Sequence, residues 1–121
     1  MIDRIQFAPG LPQMRIREVG DDASSSCVDY DFPTREDVLA MQVGDRALSP
    51  FGELAPIARI IRILDDFEGK AVAHFEVRLS PTSTISMRRR EGEITRTIPV
   101  TGHHSSNELR LMDQALARLV P

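Results

Sequence analysis

Ile57 to Leu79 reads IARIIRILDDFEGKAVAHFEVRL, and how its two halves fold decides the architecture. In the second half Ala71, Ala73, Phe75, Val77 and Leu79 take every other position, while His74, Glu76 and Arg78 fill the gaps. Side chains alternate between the faces of a strand, so the spacing predicts a strand over 70–79 with one apolar and one polar face. The first half reads two ways. Leu54, Ile57, Ile60, Ile61, Leu64 and Phe67 recur at helical spacing, with Pro56 near a start and Gly69 just past an end. Against a helix stand the β-branched isoleucines 57, 60, 61 and 63, and a loop, Asp65-Asp66-Phe67-Glu68-Gly69, that leads straight into the strand. We expect a hairpin, with 57–64 beside 70–79 and Phe75, Val77 and Leu79 turned inward beneath a C-terminal helix.

Downstream of Pro81, Thr84 to Arg89 and Glu93 to Val100 read as two further strands joined around Arg90-Glu91-Gly92, a second hairpin with glycine where positive φ is needed. Pro99 cannot donate to a ladder and marks an edge or a strand end. Ser105-Ser106-Asn107-Glu108 has the form of a capping box, and Leu109, Met112, Leu116 and Leu119 follow at helical spacing. Burying such side chains is worth about 1.5–3 kcal/mol each, so this stripe should dock on the sheet or on another subunit. We take it as the candidate partner interface, disrupted by Leu116→Asp.

Upstream, residues 1–33 are irregular, broken by Pro9, Gly10, Pro12, Gly20 and the run Asp21 to Ser26. Met14 and Ile16 alternate with Arg15 and Arg17, and Val28, Tyr30 and Phe32 with Asp29 and Asp31, which predicts two short strands, each with one wet face. Thr34, with Asp37 three residues on, predicts a brief helix over 34–41 that Gly44 ends. The fold class expected is α+β: a small antiparallel sheet or partly open β-barrel with a C-terminal amphipathic helix packed on it. We expect a single domain over 1–121, with its β-rich core at 43–100.

The 121 residues suffice for one core, and 41% hydrophobic with 27% charged residues is an ordinary globular balance. No apolar run approaches the ~18 residues that cross a bilayer, and Met1-Ile2-Asp3-Arg4 has no signal-peptide character. Cys27 is the sole cysteine, so an intrachain disulfide is impossible and a cytoplasmic location is expected. A net charge of −3 argues against a protein that coats nucleic acid or an anionic membrane. Lys70 is the sole lysine among fifteen basic residues, and arginine's planar fork suits carboxylate and phosphate partners.

From Val43-Gly44-Asp45-Arg46-Ala47-Leu48 through Val100, a glycine turn, a short strand and two hairpins follow in order. This order resembles the small five-stranded barrels of the Tudor and KOW kind over about half the chain. The resemblance implies a binding module and carries over no functional residue. With aromatics at 5%, Tyr30 the sole tyrosine and no tryptophan, a cage for methylated cations would have to be built mainly from phenylalanine.

Several groups of residues invite a chemical reading. Arg88, Arg89 and Arg90, with Arg96 on the expected neighbouring strand, form a candidate nucleic-acid or anion patch, set against a solvated hairpin tip partly neutralised by Glu91 and Glu93. The missing aromatic platforms disfavour single-strand binding. His74, Glu76 and Arg78 line a candidate exposed strand face, where a histidine and a carboxylate can share a proton or a metal. His103 and His104 are adjacent, a poor arrangement for ligating one metal on regular structure.

Cys27 and Ser24 to Ser26 lack any local nucleophile signature, and the acids Asp29, Asp31, Asp65, Asp66 and Glu68 lack calcium-loop spacing. No zinc motif, phosphate loop or dinucleotide fingerprint occurs, so neither metal nor cofactor is expected. The reading preferred is a non-enzymatic module that binds a protein partner or itself. An accessory nucleic-acid binder is the second reading. A small metal-dependent or hydrolytic enzyme built on His74, His103 and His104 is the third.

Overall fold

A computed structural model of the chain describes residues 4–5, 12–19 and 26–117. In chain order the elements are β1 (Arg4–Ile5), β2 (Met14–Glu18), β3 (Ser26–Tyr30), α1 (Arg35–Leu39), β4 (Arg46–Leu48), β5 (Leu54–Asp65), β6 (Ala71–Ser80), β7 (Ser83–Arg90), β8 (Arg96–Pro99) and α2 (Ser106–Ala117). The fold is α+β. Two antiparallel four-stranded sheets, ordered β1-β2-β3-β8 and β4-β5-β6-β7, carry α2 packed on them, and one sheet curls into a half-barrel.

The decisive stretch is a hairpin, as its alternation predicts. β5 and β6 pair from Ile57↔Val77 to Asp65↔Ala71, and Gly69 closes the loop at φ +79. The helical spacing of the isoleucines has another cause. The register shifts between Ile57 and Arg59 and again between Ile60 and Arg62, and each bulge adds one residue to the strand. Ile57, Ile60 and Ile63 therefore fall three apart yet face Val77, Phe75 and Ala73 on one side. Bulges bend a strand and sharpen its twist, which suits a sheet that curls.

Each sheet has its own buried layer. Ala71, Ala73, Phe75 and Val77 of β6 pack with Ala55, Ile57, Val38 and Met41, so α1 lies against β6. Thr34 and Asp37 cap α1 reciprocally, as a capping box requires. The second layer joins Met14, Ile16, Val28, Tyr30, Leu48 and Ile98 to Leu111, Met112 and Ala115 of α2.

Several expectations need correction. Phe75 and Val77 are covered by α1 rather than by α2, because α2 has its own apolar counterpart on β2, β3 and β8. Residues 83–90 and 96–99 are strands but not a hairpin: β8 leaves the half-barrel and pairs with β3, from Cys27↔Pro99 to Tyr30↔Arg96. Gly92, at φ +75, donates to Pro33 O at 2.8 Å, and Thr95 N donates to Tyr30 O at 3.0 Å, so the chain zips onto β3 as it leaves β7. Burying Ile98 opposite Val28 rewards that path. The fifth strand of the barrel implied by the family resemblance therefore belongs to the other sheet. Pro99 does end an edge strand. Finally, α1 stops at Leu39, five residues before Gly44.

On α2, Ser105 Oγ accepts from Glu108 N at 3.2 Å as a cap should, while the Glu108 carboxylate turns to Arg96 and His104. The apolar stripe is divided. Met112 is buried on the sheet, Leu109 and Leu116 are 48% and 44% exposed, and Leu119 lies outside the described residues. Leu116→Asp is accordingly expected to lower the unfolding free energy by about 1 kcal/mol, from lost partial burial, lower helix propensity and a carboxylate in the last turn, measured by urea denaturation. A loss several times larger would mean that a second copy or a partner covers this side of the helix. No helix among the described residues is long and apolar enough to cross a membrane.

Candidate functional site

The alternation of β6 that buries Ala73, Phe75 and Val77 turns His74, Glu76 and Arg78 to the outer face of the half-barrel. The three share one face, on which His74 and Glu76 are half-buried and Arg78 is exposed. What the sequence alone does not display is what stands beside it. Arg62 of β5 and Arg88 of β7 are the direct cross-strand neighbours of His74, giving a row Arg62-His74-Arg88 across three strands. Directly opposed side chains on one face stand about 4.5–5.5 Å apart at Cβ. The next row is Arg59-Glu76-Ser86, and Arg78 with Thr84 follows. At the other end Val72 lies between Leu64 and Arg90.

Several of these charges are compensated. Arg59 Nε meets Glu76 Oε1 at 2.8 Å and Arg88 Nη2 meets Glu93 Oε1 at 2.6 Å. Arg90 Nε lies 2.7 Å from Asp66 Oδ2, and its Nη2 lies 3.5 Å from Glu68. That contact with Arg90, helped by the Lys70 and Glu68 backbone amides, holds the Asp66 carboxyl below the usual range. Arg62 and His74 have no hydrogen bond or ion pair among the described residues, and Arg78 donates to Pro81 O alone, at 3.3 Å. The face thus carries positive charge beyond what its own carboxylates neutralise. Leu64 is 39% exposed at its end, and Phe67, at the hairpin tip, is 97% exposed.

The arginine cluster expected from sequence does not form one patch. Arg88 and Arg90 stand on the outer face. Arg89 points to the opposite face and is closed onto Asp31, with Nε to Oδ2 at 2.7 Å and Nη2 to Oδ1 at 2.5 Å. Arg96 lies on the other sheet, with Nη2 on Glu108 Oε1 at 2.7 Å. Strand alternation separates 88 and 90 from 89, and the departure of β8 separates 96 from all three.

The wet faces expected of Asp29 and Asp31 are also absent, since both are buried. Arg15, Arg17 and Thr97 surround Asp29, at 3.1, 2.8 and 2.8 Å. Burial pushes its carboxyl up, but the hydrogen bonds from Arg17, Thr97 and Arg15 outweigh that and hold it below the usual range. Arg15 also sits 4.2 Å over the Phe32 ring.

His103 is exposed, while the His104 ring is buried with Nδ1 3.3 Å from Glu108 Oε2. Cys27 is half-buried. Among the described residues no three His, Cys, Asp or Glu side chains converge as a metal-ligating group. Ser24 and Ser25 lie outside the described residues. Comparison with protein-family models, with curated proteins and with solved structures finds no match, so any reading of function rests on this geometry alone.

Proposed function

We propose that the chain is a cytoplasmic, non-enzymatic interaction module whose outer β5–β6–β7 face takes an acidic segment of a protein partner. One observation carries this reading: Arg62 and His74 stand unpaired in one row with Arg88. Arg62 and His74 project from neighbouring strands whose backbones the sheet holds in place, beside the Glu93-paired Arg88, so little backbone ordering is needed to engage a carboxylate. Arginine's fork adds bidentate recognition.

The apolar surface at the same end of the face favours protein over nucleic acid. Leu64 and Phe67 offer anchors for apolar side chains, and anchors of this kind dominate protein interfaces. The face rows contain no phenylalanine, tyrosine or tryptophan on which a base could stack. The excess positive charge would speed encounter and make binding salt-sensitive.

The test is fluorescence anisotropy with a labelled acidic peptide carrying leucines, and with a labelled DNA duplex as comparator. The peptide is expected to bind at low salt and to be released between about 50 mM and about 500 mM salt. Reversing two charges in Arg62→Glu/Arg78→Glu should weaken it by at least about ten-fold, with the melting temperature preserved because neither side chain is ion-paired. Tighter binding of the duplex would transfer the face to nucleic acid. Binding of neither, or peptide binding indifferent to the double variant, would remove the proposal.

A further inference from the structure

The half-barrel ends in two free edges. Its strands run β4-β5-β6-β7, so β4 and β7 each have one neighbour. In a closed barrel β8 would cover β7, but β8 pairs with β3 instead. From Ser83 to Arg88 the backbone of β7 bonds to no described residue outside β6. Alternate residues along its far side therefore present N–H and C=O groups without a partner among the described residues.

The other edges are blunted. β1 has two residues and β4 three, Pro99 closes β8, and the part of β5 beyond β4 carries two bulges together with Arg59, Arg62 and Asp65. Short strands, bulges, proline and charge are what keep a sheet edge from pairing with another chain. From Ser83 to Met87 β7 has no charge, proline or glycine, and its pairing with β6 runs unshifted from Arg78↔Thr84 to Val72↔Arg90. Such an edge is a template for an extended segment.

The two faces of β7 define that segment. Ile85 and Met87 are half-buried on the inner face, packed on the core that holds Phe75 and Val77. Beside Met87 opens a cleft of about 420 Å³, whose walls include Leu48 and Pro50. Both ends of the half-barrel, β4 and β7, thus line an apolar space that inward side chains of an added strand can enter. On the outer face the short Thr84 stands between the free edge and its cross-strand neighbour, the exposed Arg78. An added strand would lie two strand spacings from Arg78, roughly 9–10 Å, a distance that the long side chains of glutamate and arginine span together. A second copy of β7 fits less well. Antiparallel pairing about Ser86 would set Arg88 of each copy opposite Thr84 of the other, joining two cationic faces and supplying no carboxylate.

We propose that the partner binds by strand addition: an extended segment of alternating apolar and acidic residues pairs with the free edge of β7. Its apolar residues lie against Ile85, Met87 and the cleft, and its acidic residues reach toward Arg78 and Arg88. The acidity of the segment rests on the cationic face taking an acidic partner. The strand pairing is a separate claim and fails separately.

The test is fluorescence anisotropy with a labelled peptide of about ten residues alternating valine and glutamate, and with two N-methylated forms of it. One form is methylated on its valine amides, the other on its glutamate amides. The side chains are unchanged, but alternate amides of a strand point to opposite edges, so only one set can donate to β7. One methylated form should lose at least about ten-fold in affinity, while the other stays within about three-fold of the parent. Alternate amides of residues 83–88 should become protected from hydrogen exchange when the parent peptide binds. Equal affinity of the two methylated forms overturns the strand pairing, and leaves the acidic-partner reading standing if Arg62→Glu/Arg78→Glu still weakens the parent. No binding of the parent at low salt overturns both. A dimer in light scattering whose β7 amides are protected without peptide would give the edge to a second copy, and that too overturns the proposal.

Discussion

Arg89→Met is expected to lower the unfolding free energy by about 3–5 kcal/mol, as removing one partner of a buried ion pair generally does. Arg89 projects from β7 in one sheet and grips Asp31 just beyond β3 in the other, with the two side chains 14% and 9% exposed. Without the guanidinium, the Asp31 carboxylate would keep one nearby hydroxyl, Thr95 Oγ1 at 3.3 Å. The methionine retains the apolar stem, so the loss reports the charge rather than the packing. Asp31 also adopts φ +57, a left-handed conformation uncommon outside glycine. Asp31→Gly is therefore the matched partner substitution, because it removes the carboxylate without adding backbone strain. Each single variant strands a buried group, whereas Arg89→Met/Asp31→Gly strands neither. The double variant should be more stable than the sum of the single losses predicts, by at least about 2 kcal/mol in urea denaturation. Losses that add within about 0.5 kcal/mol would show that the pair does not join the sheets energetically.

That joint explains which parts of the architecture can be read from the chain. The β5–β6 hairpin is legible because its signals are local: alternation over 71–79, β-branched residues over 57–64 and a glycine-containing loop between them. α1 and α2 are legible because Thr34 with Asp37, and Ser105 ahead of an apolar stripe, are local capping patterns. The placement of β8 is not. Its choice of β3 over β7 depends on burying Ile98 opposite Val28, seventy residues earlier, and no short-range feature encodes that pairing. The alternation of Asp29 and Asp31 with apolar residues has the form of a solvated face. It conceals two buried carboxylates, because the arginines that neutralise them come from other strands.

The cationic face was half legible for a similar reason. His74, Glu76 and Arg78 follow from alternation, but their neighbours follow from register. Asp65 faces Ala71 across the hairpin tip, and counting back along both strands from that pair brings Arg62 opposite His74. A second count through β6–β7 brings Arg88 to its other side. The adjacency Arg88-Arg89-Arg90, conspicuous in the sequence, misleads because neighbours along a strand lie on opposite faces. Residues far apart in the chain assemble the face, and residues next to each other are divided by it.

Asp29→Asn is expected to lower stability by about 3 kcal/mol at neutral pH, and this deficit should shrink as the solution is made acid. Asp29 is fully buried and accepts from Arg15, Arg17 and Thr97, which tie β2 and β8 to β3 on the side of the sheet away from α2. An asparagine keeps the shape but offers one acceptor oxygen, and turns an amide donor toward groups that are themselves donors. The magnitude falls at the lower end for a buried pair because Arg15 and Arg17 are 27% and 41% exposed and can turn to water. The pH dependence follows from the depressed carboxyl. In the unfolded chain an aspartate titrates near 3.9, and in the fold Asp29 titrates below that. Its contribution is complete above the unfolded value and is lost as pH falls through the folded one. The gap between wild type and variant should therefore be constant from about pH 7 to about pH 5 and close below about pH 4. Asp66 is depressed in the same direction but is present in both proteins, so the difference isolates Asp29. Urea denaturation of the pair at several pH values measures it, and a gap that persists unchanged to about pH 2 would show that charge on Asp29 contributes nothing and that only its shape matters.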